Sequence, residues 1–408
     1  MRVLNLLMLF ALVACLRRGS QNTGITREVR LHKRLAHEVY SPAGSTRVFV
    51  PRLYPIREDN YSLDPLIYHI RLERDYPSIV EGILKELENS SVDSIPRRYI
   101  EDLMAFGSIY YARKQGEKVR RVVVQDSDSE EPQPVKDAYL RVHLNPRRYP
   151  AAIDMDIRAD GGIIYEDDRL LCYDKPEGVP TTETVDNLVE SLRGQLRCQF
   201  TSGQKLETAS RLDACTQGVV VFAKLDKDRE NGVDLIGRLN KAFRERYVIK
   251  RYRLRCRRKP KVLEGKVTHF YMKRKGKGST PGVLYSANDD LNTLSTCNLH
   301  IVSAKESSFQ NEQGEPMWLI EVILGTGLTH QIRLQFAALG ACIFRDLRYY
   351  PVEGLTIDPS DENTMDLPSL GNTVTGGIDL QCASMTFPAG TITDKEMTFS
   401  AACPDWWV

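Results

Sequence analysis

The sequence predicts an α+β protein with two or three structural units, and three observations support this class. The composition is that of a globular protein, with 42% hydrophobic and 27% charged residues among 408. Short apolar blocks bounded by turn residues are interspersed with segments whose apolar residues recur at helical spacing. No internal repeat and no regular strand–helix alternation is visible, which argues against a doubly wound parallel sheet. The pattern therefore predicts a mixture of helices and strands of the α+β class.

The first forty residues are predicted to be a targeting segment. Arg2 precedes an unbroken apolar run over residues 6–16, and a basic stretch follows to residue 35. The run is about half the length that a helix needs to cross a bilayer, so it is typical of a signal peptide, and the basic stretch is typical of an organelle transit segment. This combination suits import into a plastid bounded by extra membranes, with a mitochondrion as the alternative. A disordered start is the simpler interpretation. We expect no membrane association of the mature form.

Residues 41–91 are predicted to be helical, because apolar residues after Pro77 line one face at helical spacing. Ser94 and Pro96 indicate the start of a second short helix, and residues 108–111 have the composition of a strand. Residues 126–134 are acidic and can bury nothing, so they are predicted to form a flexible loop.

Beyond residue 160 the pattern changes to short strands, turns and amphipathic helices. Strands are predicted at 163–165, 170–173, 218–223 and 319–324, the first two as a hairpin. Helices are predicted at 184–196, 235–243 and 329–339, with Thr184 and Thr329 as N-caps.

The charge balance excludes few partners, whereas the cysteine pattern argues against a metal site. Lys plus Arg (56) nearly balance Asp plus Glu (54), so a nucleic-acid signal must come from local clustering. The nine cysteines form no C-x-x-C pair, which argues against a disulfide framework or a structural zinc site. We expect no metal and no cofactor.

Residues 210–218, S-R-L-D-A-C-T-Q-G, lead directly into the predicted buried strand. A carboxylate at the mouth of such a strand is well held and partly desolvated, as catalytic acids are, which makes Asp213 a candidate. A plain surface pair of Arg211 with Asp213 remains the alternative.

A basic segment carries the second signal. From Lys241 to Lys261 there are eleven Lys or Arg residues and one acid, Glu245. Tyrosines interleave with the cations, as in Lys250-Arg251-Tyr252. Cations neutralise phosphates and aromatic rings stack on exposed bases, so nucleic acid is the leading partner, with a solvated charged face as the alternative.

Residues 325–333, G-T-G-L-T-H-Q-I-R, form a glycine turn that enters a predicted helix. An arginine at position 333 that met a carboxylate from another segment would lower the pKa of that carboxyl group and keep it ionised. His330 taken alone is more often a structural hydrogen-bonding residue than a catalyst.

Together these segments resemble the RluA-type pseudouridine synthases, which typically contain Y-E-D-x-x-L-L-V-x-x-K-P-x-G, H-R-L-D-x-x-T-S-G, K-x-Y and T-G-R-T-H-Q-I-R in this order. Residues 165–178 match the first motif, and residues 340–349 resemble the family's G-x-P-I-x-G-D-x-x-Y. The resemblance covers residues 160–408, the predicted catalytic domain. It implies a mixed, mainly antiparallel sheet with flanking helices there, preceded by a small N-terminal α/β domain. Residues 92–148 more weakly resemble the alpha-L RNA-binding module.

The resemblance implies an isomerase that converts uridine in structured ribosomal or transfer RNA to pseudouridine, without a cofactor and as a monomer. It makes Asp213 the catalytic aspartate, Tyr252 the active-site tyrosine and Arg333 the arginine paired with Asp213. The target base would be flipped out of the stack. The implied RNA-binding residues are Arg211, Leu212, Lys250, Arg251, His330 and Gln331.

Departures from the family pattern leave alternatives open. Ser210 stands where histidine is usual, Leu328 replaces an arginine, and Arg345 replaces a glycine before Asp346. The runner-up is therefore a catalytically inactive RNA-binding or ribosome-assembly factor on the same fold. An aspartate-dependent hydrolase unrelated to RNA is a distant third, against which the basic, tyrosine-bearing segment argues.

Overall fold

The computed structural model of the protein describes ten stretches of the chain. They are residues 66–89, 95–114, 116–122, 132–199, 205–225, 231–272, 283–285, 295–346, 349 and 377–408. The predicted targeting segment, the first part of the predicted helical region and the acidic loop up to residue 131 lie outside these stretches.

A small antiparallel sheet with two helices forms the first part of the described chain, and its strand order is β1-β4-β2-β3. The elements are β1 (Ile67–Arg71), α1 (Ile79–Asn89), α2 (Arg97–Ala105), β2 (Ile109–Ala112), β3 (Arg120–Arg121) and β4 (Tyr139–His143). The predicted helices beginning near residues 79 and 97 are confirmed. The prediction of helix is wrong for β1, because its residues pair with β4 in a ladder that local periodicity does not reveal.

A large mixed sheet follows, with eleven strands in the described stretches. They are β5 (Ile163–Glu166), β6 (Leu170–Lys175), β7 (Lys205–Glu207), β8 (Gln217–Leu225), β9 (Ile249–Cys256), β10 (Gly265–Met272), β11 (Val283–Tyr285), β12 (Ser295–Gln310), β13 (Pro316–Leu324), β14 (Leu380–Phe387) and β15 (Met397–Ser400).

The order along this sheet is β11-β10-β12-β13-β9-β14-β8-β6-β5, with β15 beside β14 and β7 beside β8. The pairing of β14 with β8 is parallel, and the other described pairings are antiparallel. Gly218 makes the parallel pairing possible, since a Cβ atom there would overlap the Cys382 backbone. The predicted α+β class and mainly antiparallel sheet are confirmed.

Four helices accompany the large sheet: α3 (Pro150–Ile153), α4 (Leu192–Gln199), α5 (Asn231–Arg244) and α6 (Gln331–Ala338). The helices predicted around 235–243 and 329–339 are confirmed. Thr329 is not the N-cap of α6, however. His330 occupies that position in a left-handed conformation with φ 56°, and no side chain caps the helix.

The helix predicted to begin at Thr184 begins only at Leu192, because the residues between form a loop held by other hydrogen bonds. The Asn187 side-chain oxygen accepts hydrogen bonds from two backbone amides further along the loop, at 3.1 and 2.8 Å. Such side-chain bonds compete with a helix. The loop also contacts the small sheet's domain, where the Leu188 amide donates to the Phe106 carbonyl at 2.7 Å.

The large sheet and its helices surround a continuous apolar core, and a second core lies beneath the small sheet. Central strands such as β8 are buried on both faces, as the unbroken apolar sequence of residues 219–223 predicts. No helix in the described stretches is long and apolar enough to span a membrane.

Candidate active site

The fold brings the three motif segments together at the centre of the large sheet. Tyr252 lies in β9, which β13 and β14 flank, and β8 follows β14. Asp213 lies in the loop that enters β8, and Arg333 lies in the first turn of α6, which follows β13. Segments far apart in sequence therefore meet because their strands are neighbours.

Asp213 faces two nitrogen-bearing side chains. Arg333 Nη1 lies 3.6 Å from Asp213 Oδ2, and His330 Nε2 lies 3.5 Å from the same oxygen. The Asp213 side chain is 35% exposed, whereas that of Arg333 is 4% exposed. The carboxylate is thus open on one side and faces a buried cation on the other.

The main partner of Arg333 is Asp346. Arg333 Nε and Nη2 donate to the two carboxylate oxygens of Asp346 at 2.7 and 2.8 Å. Both side chains are almost completely buried, and the Arg333 guanidinium lies 5.0 Å from the Tyr349 ring centroid. Two nitrogens are therefore fixed by a fork-to-fork pair, which leaves Nη1 to face Asp213. The resemblance implied a pair of Arg333 with Asp213, and the structure adds the residue that orients it.

His330 lies between Asp213 and Tyr349. Its Nδ1 is 2.7 Å from the Tyr349 hydroxyl, and the two rings meet edge to face. The left-handed backbone at His330 turns the chain into α6 and directs the ring toward this position. A ring held by one nitrogen presents the other, Nε2, in a fixed direction toward Asp213.

Hydrogen bonds to its backbone hold the loop that carries Asp213. The Thr181 hydroxyl donates to the Leu212 carbonyl at 2.9 Å and accepts from the Leu212 amide at 3.0 Å. On the other side, the Thr216 amide donates to the Asp213 carbonyl at 3.1 Å. The position of the carboxylate is thus set by anchors on both sides of it.

Lys175 is a third anchor of this loop. Its Nζ donates to the backbone carbonyls of Pro176, Val179 and Ala214 at 2.8, 2.6 and 3.3 Å, and the side chain is fully buried. Burial lowers the pKa of Lys175 to about 7, although nearby acidic groups, Asp213 among them, oppose the shift. Lys175 lies in the first family motif, but its position in the sequence alone does not indicate this role.

Tyr252 is 7% exposed and lies opposite Cys382 across the β9–β14 ladder. Burial raises the pKa of the Tyr252 phenol well above its ordinary value, and Cys382 and Asp213 raise it further. The phenol is therefore neutral at physiological pH, so its hydroxyl can donate a hydrogen bond but cannot act as a phenolate base.

Four of the six predicted RNA-binding residues lie in the Asp213 loop and in β9. Arg211 is exposed, while Leu212 is 9% exposed and packs into the core. Lys250 is partly buried, with its Nζ 5.9 Å from the Phe243 ring centroid. Arg251 donates to Glu321 at 2.6 Å. Arg211 is thus the most accessible cation of this set.

The other two predicted RNA-binding residues, His330 and Gln331, begin α6. Gln331 is 2% exposed and its amide is engaged on both ends. The amide nitrogen donates to the Asn298 carbonyl at 3.0 Å, and the amide oxygen accepts from the Thr326 hydroxyl at 2.7 Å. The structure gives Gln331 the role of shaping the turn at residues 325–330.

The arrangement is suited to proton transfer and to nucleophilic attack by a carboxylate. A partly exposed carboxylate, a buried guanidinium and a neutral phenol are among the groups that such chemistry uses. Within the described stretches, no group of three or more His, Cys, Asp and Glu residues is placed to hold a metal ion.

Comparisons with known proteins agree with this geometry. The family model for RNA pseudouridylate synthase matches residues 169–338, a range that contains Asp213, Tyr252 and Arg333. Over these residues the chain is similar to RluA-type pseudouridine synthases, isomerases that act on RNA, and the family resemblance seen in the sequence is confirmed.

Curated pseudouridine synthases align with the chain beyond the matched range. RNA pseudouridine synthase 6, chloroplastic, of Arabidopsis thaliana is 25% identical over 354 residues, which cover 74% of this chain and 69% of that protein. The Oryza sativa protein of the same name is 26% identical, with coverage of 68% and 65%. Ribosomal large subunit pseudouridine synthase C of Rickettsia felis is 30% identical, with coverage of 46% and 55%.

Solved structures of pseudouridine synthases also align. Human RNA Pseudouridylate Synthase Domain Containing 4 has a TM-score of 0.42 and 20% identity, over 60% of this chain and 90% of that one. Human RNA Pseudouridylate Synthase Domain Containing 1 has the same score and identity and covers 60% and 83%.

The residues in which this chain departs from the family pattern have defined surroundings. Leu328 packs against an apolar cluster that includes Tyr349. Arg345 adopts a left-handed conformation with φ 66°, at the position where the family has glycine. None of these residues displaces Asp213, Tyr252 or Arg333.

Asp346 and Tyr349 are functional residues that the sequence motifs do not identify as such, although the sequence holds a signal for both. Both residues lie in the segment that resembles G-x-P-I-x-G-D-x-x-Y. The motif shows that an aspartate and a tyrosine recur there. Only the fold shows that they contact Arg333 and His330.

Proposed function

We propose that this protein converts specific uridines of ribosomal or transfer RNA into pseudouridine, with Asp213 as the catalytic group. One observation carries the proposal. The Asp213 carboxylate is 35% exposed and faces a buried arginine 3.6 Å away, within a pseudouridine synthase domain. A carboxylate that must reach a nucleoside has to be open to solvent, and one that must be ionised benefits from a fixed cation.

The reaction breaks the bond between ribose carbon 1′ and uracil nitrogen 1 and forms one between carbon 1′ and carbon 5. The hydrogen of carbon 5 leaves as a proton, and nitrogen 1 gains one, so no electrons are exchanged with another molecule. Asp213 supplies a carboxylate that can attack as a nucleophile or remove a proton as a base. Tyr252 supplies a neutral hydroxyl for the base.

The target uridine must leave the helical stack to reach Asp213, because its reacting bond is inaccessible inside a duplex. Arg211 is two residues from Asp213 and exposed, so we assign it to the RNA left behind. We assign Lys250 and Arg251 of β9 to phosphate contacts, and His330 to the immediate surroundings of Asp213.

The relatives suggest a compartment and a substrate. The two plant relatives are named chloroplastic, and the rickettsial relatives are named for the large ribosomal subunit. With the predicted targeting segment, these names support a plastid enzyme acting on ribosomal RNA. A mitochondrial location and a transfer RNA substrate are the alternatives, and we propose that the enzyme acts as a monomer.

Pseudouridine mapping tests this function. Organellar RNA from cells with and without the protein is treated with carbodiimide, and modified sites are located by primer extension. Loss of one or a few sites, restored by the wild-type gene and not by an Asp213→Asn gene, is expected. An unchanged map from cells in which the protein binds RNA would support the non-catalytic assembly factor instead.

A further inference from the structure

Arg345 occupies a backbone conformation that side chains other than glycine rarely adopt. Its φ is 66°, and in the described stretches only three other residues besides glycines have positive φ. An L-residue in the left-handed region costs about 1 kcal/mol. The family pattern has a glycine here, so the arginine carries a backbone cost that a glycine would avoid, which calls for a compensating contact.

The Arg345 side chain makes such contacts with two acidic residues. Its Nη1 and Nη2 donate to the Glu177 carboxylate at 2.9 and 2.7 Å, and its Nε donates to Asp379 Oδ1 at 2.8 Å. The Asp379 side chain is 1% exposed, and those of Arg345 and Glu177 are 37% and 36% exposed. Every donor-bearing nitrogen of the guanidinium is engaged.

These contacts tie together three segments around the active site. Glu177 lies in the loop after β6, two residues beyond Lys175, and Asp379 precedes β14. Gly377 accommodates the Glu177 carboxylate, because a Cβ atom at residue 377 would overlap it. Asp379 is itself fixed, since its other oxygen accepts from Arg255 Nε at 2.7 Å.

The segment that Arg345 holds is the one that carries Asp346. The Phe344 amide donates to the Arg255 carbonyl at 2.8 Å, and the Asp379 amide donates to the Phe344 carbonyl at 3.2 Å. Asp346 follows Arg345 directly and accepts the two hydrogen bonds that orient Arg333. A shift of Arg345 would therefore move Asp346, and with it the nitrogen that faces Asp213.

We infer that Arg345 is a positioning residue of the active site, which clamps the segment 343–346 to Glu177 and Asp379 so that Asp346 holds Arg333 against Asp213. The inference rests on the proposed function. Arg345 acts through Asp346, because its own guanidinium is bound to Glu177 and Asp379. A misplacement of about 1 Å at a catalytic group can lower the rate a hundredfold, so such a clamp is consequential.

The test uses full-length protein and transcripts of organellar ribosomal and transfer RNA labelled with [5-³H]uridine, which release tritium when carbon 5 is joined to ribose. Arg345→Gly keeps the left-handed backbone and removes the clamp. We expect its single-turnover rate at saturating enzyme to fall at least about tenfold, with the Kd for the same transcripts within about twofold of wild type. Arg345→Lys, which cannot span both acids, is expected to be intermediate.

Coupling between the two arms separates positioning from general damage. Glu177→Gln is expected to slow the reaction. The double variant Arg345→Gly/Glu177→Gln is expected to be no slower than Arg345→Gly alone, because both substitutions remove the same contact between Arg345 and Glu177. Glu88→Gln is the matched control, since Glu88 forms an exposed pair with Lys85 in α1.

Two results would overturn the inference. One is an Arg345→Gly enzyme whose single-turnover rate equals that of wild type. The other is a loss confined to RNA affinity, which would make Arg345 an RNA contact.

If wild-type protein releases no tritium, the proposed function fails instead. Hydrogen exchange of residues 208–216 and 331–338 then decides the clamp, which predicts faster exchange in both segments of Arg345→Gly and not of Glu88→Gln.

Discussion

Arg333 and Asp346 form a buried, two-point ion pair with nitrogen–oxygen distances of 2.7 and 2.8 Å. The pair fixes the plane of the guanidinium, and the remaining nitrogen then lies 3.6 Å from Asp213. Because Asp346 accepts from two nitrogens of the Arg333 guanidinium, the third nitrogen is a donor with a fixed direction. The arginine is thus held whether or not RNA is bound, and binding energy is not spent on ordering it.

Asp213→Asn keeps the size of the side chain and removes its charge and its ability to attack or accept a proton. We expect this variant to release no tritium from labelled RNA, with its Kd for the same RNA within a few fold of wild type. Filter binding measured beside tritium release separates the two. Product formation by this variant would exclude Asp213 as the catalytic group.

Arg333→Ala removes the guanidinium that forms two hydrogen bonds with the buried Asp346 carboxylate. We expect a loss of roughly 3–5 kcal/mol in the free energy of unfolding, together with loss of activity, because Asp213 loses its cation and Asp346 its pair. Urea denaturation and tritium release measure the two effects.

Asp346→Asn should lower activity as well. An active Asp346→Asn enzyme would show that Arg333 needs no orienting acid.

Tyr252→Phe removes one hydroxyl from a residue whose ring is part of the core. We expect the free energy of unfolding to change by about 1 kcal/mol and the rate to fall at least about a hundredfold, because the neutral phenol no longer reaches the base. Tyr247→Phe is the matched control, since Tyr247 is 58% exposed. Equal rates for both variants would remove Tyr252 from the mechanism.

Lys175 gives the stability a pH dependence of predictable sign. Its pKa is about 7 in the folded protein against 10.5 for the free side chain. Between these values the unfolded chain binds more protons, so stability rises with pH. Relative to that of Lys175→Met, the free energy of unfolding of wild type should rise by about 1.4 kcal/mol per pH unit in this window.

Urea denaturation of both proteins at pH 6.5, 8 and 9.5 measures this difference. Lys85→Met serves as the control, since Lys85 is exposed and its hydrogen bond with Glu88 raises its pKa. The difference in the free energy of unfolding between Lys85→Met and wild type should stay constant over the same pH range. A constant difference for Lys175→Met would mean that the buried amine remains charged in the folded protein.

Where a structure depends on nearby residues, the sequence was sufficient to predict it. The hairpin of β5 and β6, the buried strand β8 and the helix α5 follow from spacing within each segment. Predictions failed where distant residues decide. Ile67–Arg71 is a strand because it pairs with Tyr139–His143, and residues 184–191 form a loop because the small sheet's domain supplies partners for it.

The active site divides in the same way. The residue types and order of the motifs determined the family and singled out Asp213, Tyr252 and Arg333, since the chemistry requires those side chains. The tertiary structure alone decided that Asp346 orients Arg333, that Lys175 supports the Asp213 loop and that Arg345 bridges Glu177 and Asp379. Hydrogen bonds and ion pairs depend on distances of about 3 Å, which only the folded chain sets for residues remote in sequence.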